Sequence, residues 1–127
     1  MSGLRVELHL HSVLSPCAGD EMIPPLVLRR GVQLGLSFIA ITDHNSTLNV
    51  PAFWRAARNL PIQVIPGIEL QTREDIHLIG LFDSPEKAAA IQAVVDATLP
   101  KVRNREDYFG RQWIVDEQGR LIGREER

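Results

Sequence analysis

The 127-residue sequence predicts a single α/β domain made of parallel β-α units. Over about the first 65 residues, short apolar runs alternate with segments of helical length, which is the pattern of such units. Prolines stand where helices would begin, and Gly, Ser and Pro separate the segments. The C-terminal part differs, because two apolar runs flank a turn signal and predict a β-hairpin.

The first β-α unit begins with an alternating strand over residues 4–10, followed by a loop over residues 12–19 that is rich in Ser, Pro and Gly. Two prolines at positions 24 and 25 suit the first turn of a helix that runs to about residue 35. Residues 37–41 are short and apolar. They predict the second strand, which would lie parallel to the first.

The second unit has candidate helix caps at Asn45, Ser46 and Asn49, just before Pro51. They predict a helix over residues 52–59. The third strand is predicted over residues 62–65, and a fourth strand, also predicted to be parallel, over residues 76–82. A helix is predicted over residues 85–99, and residues 112–115 and 120–122 form the two strands of the hairpin.

Composition excludes several classes of protein. The formal charge is −2 and charged residues make up 24% of the chain, which argues against a non-specific binder of nucleic acid or of a membrane surface. Cys17 is the only cysteine, so the chain can form no internal disulfide, and a reducing cytoplasm is the expected location. Neither a signal peptide nor a membrane-spanning stretch is predicted.

Histidines and carboxylates fall at the predicted strand ends. His9 and His11 are two residues apart in a strand and therefore share one face. His44 follows the second strand, Glu69 the third, and His77 opens the fourth. Functional side chains gather beyond the carboxyl ends of parallel strands, and imidazole is the commonest protein ligand for zinc. The pattern predicts a metal site.

The order of these motifs resembles the PHP (polymerase and histidinol phosphatase) family of metal-dependent phosphoesterases. The matching segments are LHLHS at residues 8–12, ITDHN at 41–45, IPGIE at 65–69 and IHL at 76–78. The resemblance implies a distorted (β/α)7 barrel. Residues 1–127 would form its N-terminal portion, without the later Gly-His or Ala-His and Asp-x-His motifs. We expect a fragment, or a short form whose site is incomplete or shared between chains.

The resemblance also implies a cluster of two or three divalent metal ions. Its ligands would be His9, His11, His44, Glu69 and His77. Glu69 is the natural bridge between two cations, because a carboxylate has two oxygens. We assign catalytic roles to Glu69 and His44. The ligand set suits Zn²⁺, Mn²⁺ or Fe²⁺ and does not choose among them.

The remaining candidates are less specific. The family usually has an acidic ligand in the loop after the first strand, and either Asp20 or Glu21 can fill that place. Cys17 lies in the same loop, where we expect it to be packed. Asp43 precedes a ligand and is expected to accept a hydrogen bond that fixes an imidazole. Arg73 is a weak candidate for a substrate phosphate, since a guanidinium pairs with two of its oxygens.

These residues predict a phosphoesterase that hydrolyses a phosphoester of a small metabolite or nucleotide through metal-activated water. The alternative is a non-catalytic metal-binding or interaction module derived from a PHP domain. A polymerase-associated editing domain is disfavoured, because the chain is not basic and contains no polymerase segment.

Partners are also predicted. We expect a small phosphorylated substrate, no membrane and no strong binding of nucleic acid. A half-barrel of four parallel strands would leave a strand edge and an apolar face uncovered, which predicts a homo-oligomer, most simply a two-fold dimer.

Overall fold

The computed structural model describes residues 3–99 and 111–126. Its helices and strands follow the predicted order, and the α/β class and the C-terminal hairpin are confirmed. The strands are β1 (Val6–Leu10), β2 (Phe38–Ile41), β3 (Gln63–Gln71), β4 (His77–Leu81), β5 (Gln112–Val115) and β6 (Leu121–Glu125). The helices are α1 (Pro24–Gln33), α2 (Val50–Ala56) and α3 (Pro85–Thr98).

Four strands form one sheet in the order β1-β2-β3-β4, and β5 and β6 form a separate two-stranded sheet. Strands β1, β2 and β3 are parallel, as predicted. Strand β4 is antiparallel to β3, so the expectation of four parallel strands was wrong. The reason is chain length: residues 72–76 make a tight turn, whereas a parallel crossover needs about a dozen residues or more.

Strand β3 is longer than predicted, because it continues through a Pro-Gly pair that the sequence pattern marks as a break. Pro66 pairs with Ile41 of β2, and its carbonyl accepts the N–H of Phe82 at 2.8 Å. At Gly67 the neighbouring strands approach closely: a Cβ there would lie 3.0 Å from the carbonyl oxygens of both Ile41 and Gly80. Glycine lets β3 pass between its neighbours without a clash.

The hydrophobic core lies between this sheet and helices α1 and α2. Ile39 and Ile41 are two apart on β2 and therefore share the face that the helices cover. Phe53 of α2 is fully buried among them, and Leu28 of α1 is 1% exposed. The cluster consists of Leu28, Ile39, Ile41, Phe53, Ala57, Ile62 and Val64. This packing fixes the strands whose ends carry the candidate site residues.

The hairpin is attached to the rest of the fold by the Asn49 side chain, by a backbone hydrogen bond, and by an ion pair in which Nε of Arg55 in α2 lies 3.0 Å from Oε2 of Glu117 in the hairpin turn. Asn49 occupies the N-cap position of α2, but its side chain makes no capping bond, contrary to the prediction. Instead its amide nitrogen donates to the Trp113 carbonyl at 2.9 Å, and its oxygen accepts the Val115 N–H at 2.9 Å. Trp113 N–H donates to the Val13 carbonyl at 3.2 Å. Among the described helices, none has the length and apolarity to cross a membrane.

We predict that Gly67→Ala lowers the free energy of unfolding by about 1–3 kcal/mol, because the added methyl group would press on two backbone carbonyls and on Thr42. Chemical denaturation monitored by circular dichroism measures this change. Gly123→Ala is the matched control, since a Cβ there meets Ile114 only at ordinary contact distances, 3.6 Å and beyond. Equal stability of the two variants would contradict this reading of β3.

Candidate metal centre

The four histidines and Glu69 meet at one edge of the main sheet. His9 lies in β1 and His11 just after it, while His44 follows β2. His44 forms an isolated parallel bridge with Glu69 of β3. His77 opens β4 and pairs with Gln71 at the end of β3. Because β4 is reversed, its beginning lies at the same edge as the ends of the parallel strands.

The Glu69 carboxylate is the centre of this cluster. Its side chain is 4% exposed and each of its oxygens faces two imidazoles. Oε2 lies 2.9 Å from Nδ1 of His44 and 3.2 Å from Nδ1 of His77. Oε1 is hydrogen-bonded to Nε2 of His9 and lies 3.8 Å from Nε2 of His11. The carboxylate therefore stands between two pairs of ring nitrogens.

The imidazole rings follow one another around this carboxylate. The centroids of His9 and His11 are 5.2 Å apart with the rings edge to face, and those of His11 and His44 are 4.4 Å apart with the rings stacked. The His77 ring meets His44 edge to face at 6.2 Å. Exposure rises outward, from 20% for the His11 side chain to 52% for that of His9. The cluster is anchored inside and open to solvent on its outer side.

Burial sets the charge state of the inner rings. It lowers the pKa of His11 and of His44, and the neighbouring ring of His11 lowers the pKa of His44 further. For Glu69, burial alone would raise the pKa, but the charges of the surrounding histidines and the hydrogen bond from His9 lower it overall. The lowered pKa values favour the neutral imidazole in His11 and His44 and the charged carboxylate in Glu69, which are the forms that bind metals.

These donors fit a divalent metal ion. The ligand atoms of His9, His11 and Glu69 all lie within 4.8 Å of one another, as do those of His11, Cys17 and His44. Neutral imidazoles with a carboxylate are a ligand set for Zn²⁺, Mn²⁺ or Fe²⁺. His11 belongs to both groups and Glu69 faces both pairs of histidines, which is the arrangement that two neighbouring cations would need.

Cys17 lies beside the cluster and is exposed, not packed as the sequence led us to expect. Its Sγ is 3.6 Å from Nε2 of His44. Partial burial raises the pKa of the thiol, and the negative charges of Asp43 and Glu69 raise it further. A thiolate at this position therefore needs a cation to stabilise it.

The structure does not bring the acidic residues of the same loop into the described ligand groups. Asp20 and Glu21 are both exposed. Asp20 lines a small cavity beside Trp113 of the hairpin, and Glu21 lines another cavity on the side of α1. Arg73 is exposed in the turn between β3 and β4. The roles of all three residues stay predictions.

Asp43 is fully buried, and among the described residues the hydrogen bonds of its carboxylate come from the loop after β1. Oδ1 accepts the Ser12 N–H at 2.6 Å and the Ser15 hydroxyl at 2.8 Å, while Oδ2 accepts the Ser12 hydroxyl at 2.5 Å. Burial raises its pKa, and the hydrogen bonds from the two serines oppose that rise. The predicted contact with an imidazole is indirect, because Ser15 stands between Asp43 and His11.

Sequence reasoning missed Ser12, Ser15 and Asn49 as parts of the site. Both serines lie in a loop where Ser is an ordinary turn residue, and nothing in their spacing shows what they contact. The available signal was position: Ser12 directly follows a candidate ligand and Ser15 comes four residues after it. The sequence indicates only a helix cap at Asn49, since the partners of its side chain lie between 37 and 66 residues away.

Comparison with known proteins gives the family of this chain. A family model described as the PHP domain matches residues 7–118. The chain belongs to the PHP domain family. The match includes every histidine and Glu69, and it ends within the turn of the C-terminal hairpin.

This chain is similar to two curated relatives and to one solved structure. The chain is 32% identical over 92 residues, 72% of its length, to an error-prone DNA polymerase from Symbiobacterium thermophilum, of which it spans 8%. It is 30% identical over 100 residues, 75% of its length, to a phosphoribosyl 1,2-cyclic phosphate 1,2-diphosphodiesterase from Eggerthella lenta, of which it spans 37%.

The solved structure is that of a protein assigned as a metal-dependent phosphoesterase from Bifidobacterium adolescentis. It aligns with a TM-score of 0.60 at 22% identity, over 76% of this chain and 34% of that one. This likeness confirms the fold. The chain thus spans between 8% and 37% of each of these three proteins.

We predict that the purified protein binds a divalent transition metal and that a His9→Ala/His11→Ala double variant loses most of it, because two donors to the same cation are gone. Elemental analysis and titration with Zn²⁺ or Mn²⁺ measure this. Leu8→Ala is the control, since Leu8 directly precedes His9 and lies on the opposite face of β1. Unchanged metal content in the double variant would rule out this set of ligands.

Cobalt tests Cys17 directly. We predict that the Co²⁺-loaded protein shows a sulfur-to-cobalt charge-transfer band in the near ultraviolet, because Cys17 lies with two imidazoles within ligand distance of one position. Cys17→Ser should lack the band while still binding Co²⁺ through its histidines. A wild-type spectrum without the band would show that the thiol stays out of the site.

Proposed function

We propose that this PHP chain is a metal-dependent phosphoesterase that hydrolyses a phosphoester of a small metabolite or nucleotide. The observation that supports this most directly is the position of Glu69, whose two oxygens each face a different pair of imidazoles. A buried carboxylate shared in this way can hold two cations close together. Such pairs of metals are typical of enzymes that transfer or hydrolyse phosphoryl groups.

Each residue then has a definite task. His9 and His11 hold one side of the Glu69 carboxylate, and His44 and His77 hold the other. Divalent cations bound there would supply water activated for attack at neutral pH and positive charge for the phosphoryl oxygens. We assign catalytic roles to Glu69 and His44, because Glu69 joins the two sides and His44 borders both Glu69 and Cys17.

The site and the relatives support the proposed substrate class. The chain carries a formal charge of −2, so a phosphate group must be held locally. The Eggerthella relative acts, by its name, on a phosphoribosyl cyclic phosphate, which is a small phosphoester. The outer rings of His9 and His77 are about half exposed, so a small substrate can reach the cluster from solvent. Arg73 is proposed as a contact for its phosphate.

A homo-oligomer and a cytoplasmic location stay predictions. Strands β1 and β4 are the edges of the main sheet, and each exposes apolar side chains, with Leu8 42% and Leu78 51% exposed. Uncovered edges of this kind pair readily with another chain. The expected absence of strong nucleic-acid binding likewise rests on charge alone.

We predict that the protein hydrolyses an aryl phosphodiester when Mn²⁺ is added and that Glu69→Gln lowers the rate by at least about 100-fold, because an amide cannot bridge two cations. Release of nitrophenol from bis(4-nitrophenyl) phosphate measures the rate. Glu74→Gln is the matched control, since Glu74 is an exposed residue of the turn that follows β3.

Two results would contradict the proposal. Turnover that survives Glu69→Gln would place the chemistry elsewhere. A protein that binds Mn²⁺ tightly but hydrolyses neither monoesters nor diesters would instead be the non-catalytic metal-binding module that the sequence left as the alternative.

A further inference from the structure

We infer that Ser15 is a positioning residue that fixes the tautomer of His11, placing the ring proton on Nδ1 and leaving the lone pair of Nε2 free toward Glu69. The inference deepens the proposed function and depends on it for its purpose, since a metal needs that lone pair. The argument is a sequence of hydrogen bonds whose direction is set, one after another, from a backbone N–H group.

The sequence begins at the hairpin. The backbone N–H of Val115 can only donate, so the Asn49 atom that it contacts at 2.9 Å must be the carboxamide oxygen. The other end of Asn49 is therefore the NH₂ group, which has two protons. It donates one to the Trp113 carbonyl at 2.9 Å and the other to the Ser12 hydroxyl oxygen at 3.1 Å. The orientation of this amide is fixed by its contacts.

The next hydrogen bond whose direction is fixed runs from the Ser12 hydroxyl to Asp43. A hydroxyl has one proton to donate and two lone pairs to accept with. The Ser12 oxygen accepts from Asn49 and from the Leu14 N–H at 3.2 Å, so both lone pairs are used. Its proton therefore points to Asp43 Oδ2, 2.5 Å away. The Ser12 backbone N–H also donates to this carboxylate, at Oδ1. Asp43 thus acts as an acceptor.

The Ser15 hydroxyl likewise has one proton and two lone pairs, and one of these lone pairs is still available. Its oxygen accepts the backbone N–H of His44 at 3.1 Å, and its proton is donated to Asp43 Oδ1 at 2.8 Å. One lone pair remains, and Nδ1 of His11 lies 3.3 Å from the oxygen. With its only proton already used, Ser15 can bind His11 only as an acceptor. Nδ1 of His11 must therefore carry the proton.

The consequence for the site is the state of the other ring nitrogen. In a neutral imidazole, a proton on Nδ1 leaves Nε2 with a lone pair. Nε2 of His11 faces Glu69 Oε1 at 3.8 Å, inside the group of ligand atoms formed with His9. Hydrogen bonds of this kind orient metal-binding histidines and strengthen them as ligands. Ser15 is 1% exposed, so no solvent molecule takes its place easily.

The wild-type protein gives the first test. Long-range ¹H–¹⁵N spectra of the metal-free chain, recorded above the ordinary pKa of histidine, distinguish the two tautomers of each ring. A His11→Gln variant identifies the His11 signals by their loss. We expect His11 to be in the Nδ1–H form. An Nε2–H form would overturn the inference, because it requires Ser15 to donate to His11 and Asp43 to be protonated.

Variants give the second test. Ser15→Ala should mix the two tautomers of His11 and weaken Zn²⁺ binding by about 10–100-fold, while Ser15→Thr, which keeps the hydroxyl, should restore both properties. Ser46→Ala is the control: Ser46 is buried and its hydroxyl accepts the Leu48 N–H at 3.3 Å, so the substitution removes a similar bond. A folded Ser15→Ala variant with the wild-type tautomer and affinity would overturn the inference.

The experiments distinguish failure of the Ser15 inference from failure of the proposed phosphoesterase function. The tautomer of His11 is measured without metal and without substrate, so it decides the role of Ser15 even if Ser15→Ala does not fold. Absence of metal binding and turnover in the wild-type protein would refute the proposed function and leave the spectrum of His11 as it is.

Discussion

The site depends on one buried carboxylate. Glu69 lies in a central strand, its side chain is almost inaccessible to solvent, and a charge in that position is costly unless partners surround it. The partners come from both sides, from β1 and β2 on one side and from β4 on the other. The arrangement brings four imidazoles together around Glu69, and the exposed carboxylate of Asp75, in the turn before β4, lies 3.8 Å from Nε2 of His77. Removing the carboxylate would leave the four rings without their common partner.

The reversal of β4 completes this arrangement. In a parallel fourth strand, the residue that opens the strand would lie at the amino edge of the sheet, far from Glu69. The tight turn between β3 and β4 instead places His77 opposite Gln71, which is two residues from Glu69 along β3. Close passage of β3 between its neighbours then requires Gly67, where a side chain would meet two carbonyl oxygens. Gly67 lets β3 lie between β2 and β4, and that position of β3 places Glu69, two residues later, among the four histidines.

The sequence predicts the parts of this site that depend on spacing within a strand and on the order of the strands, and it misses those that depend on contacts between distant residues. Spacing along a strand places His9 and His11 on one face, and the order of strand ends brings His44 and Glu69 to one edge. Sequence patterns carry no information on strand direction across a short turn unless its length is weighed, so β4 was assigned the wrong direction. Nor do they show where loop side chains fold back, so the sequence predicts a packed Cys17 and gives the two serines no role beyond the loop itself.

The network behind the site joins its chemistry to its fold. Asn49 is fully buried and holds the hairpin through two backbone groups of β5, and the same side chain fixes the hydroxyl of Ser12. Ser12 and Ser15 then surround Asp43, and Ser15 reaches His11. Because backbone N–H groups cannot reverse, the direction of these bonds is set by the docking of the hairpin and not by the site itself. A buried acid that only accepts hydrogen bonds can stay charged at low solvent exposure, since its donors replace the lost water. Asp43 therefore acts as a fixed hydrogen-bond acceptor and not as a metal ligand. It sets the direction in which the Ser12 and Ser15 hydroxyl protons point.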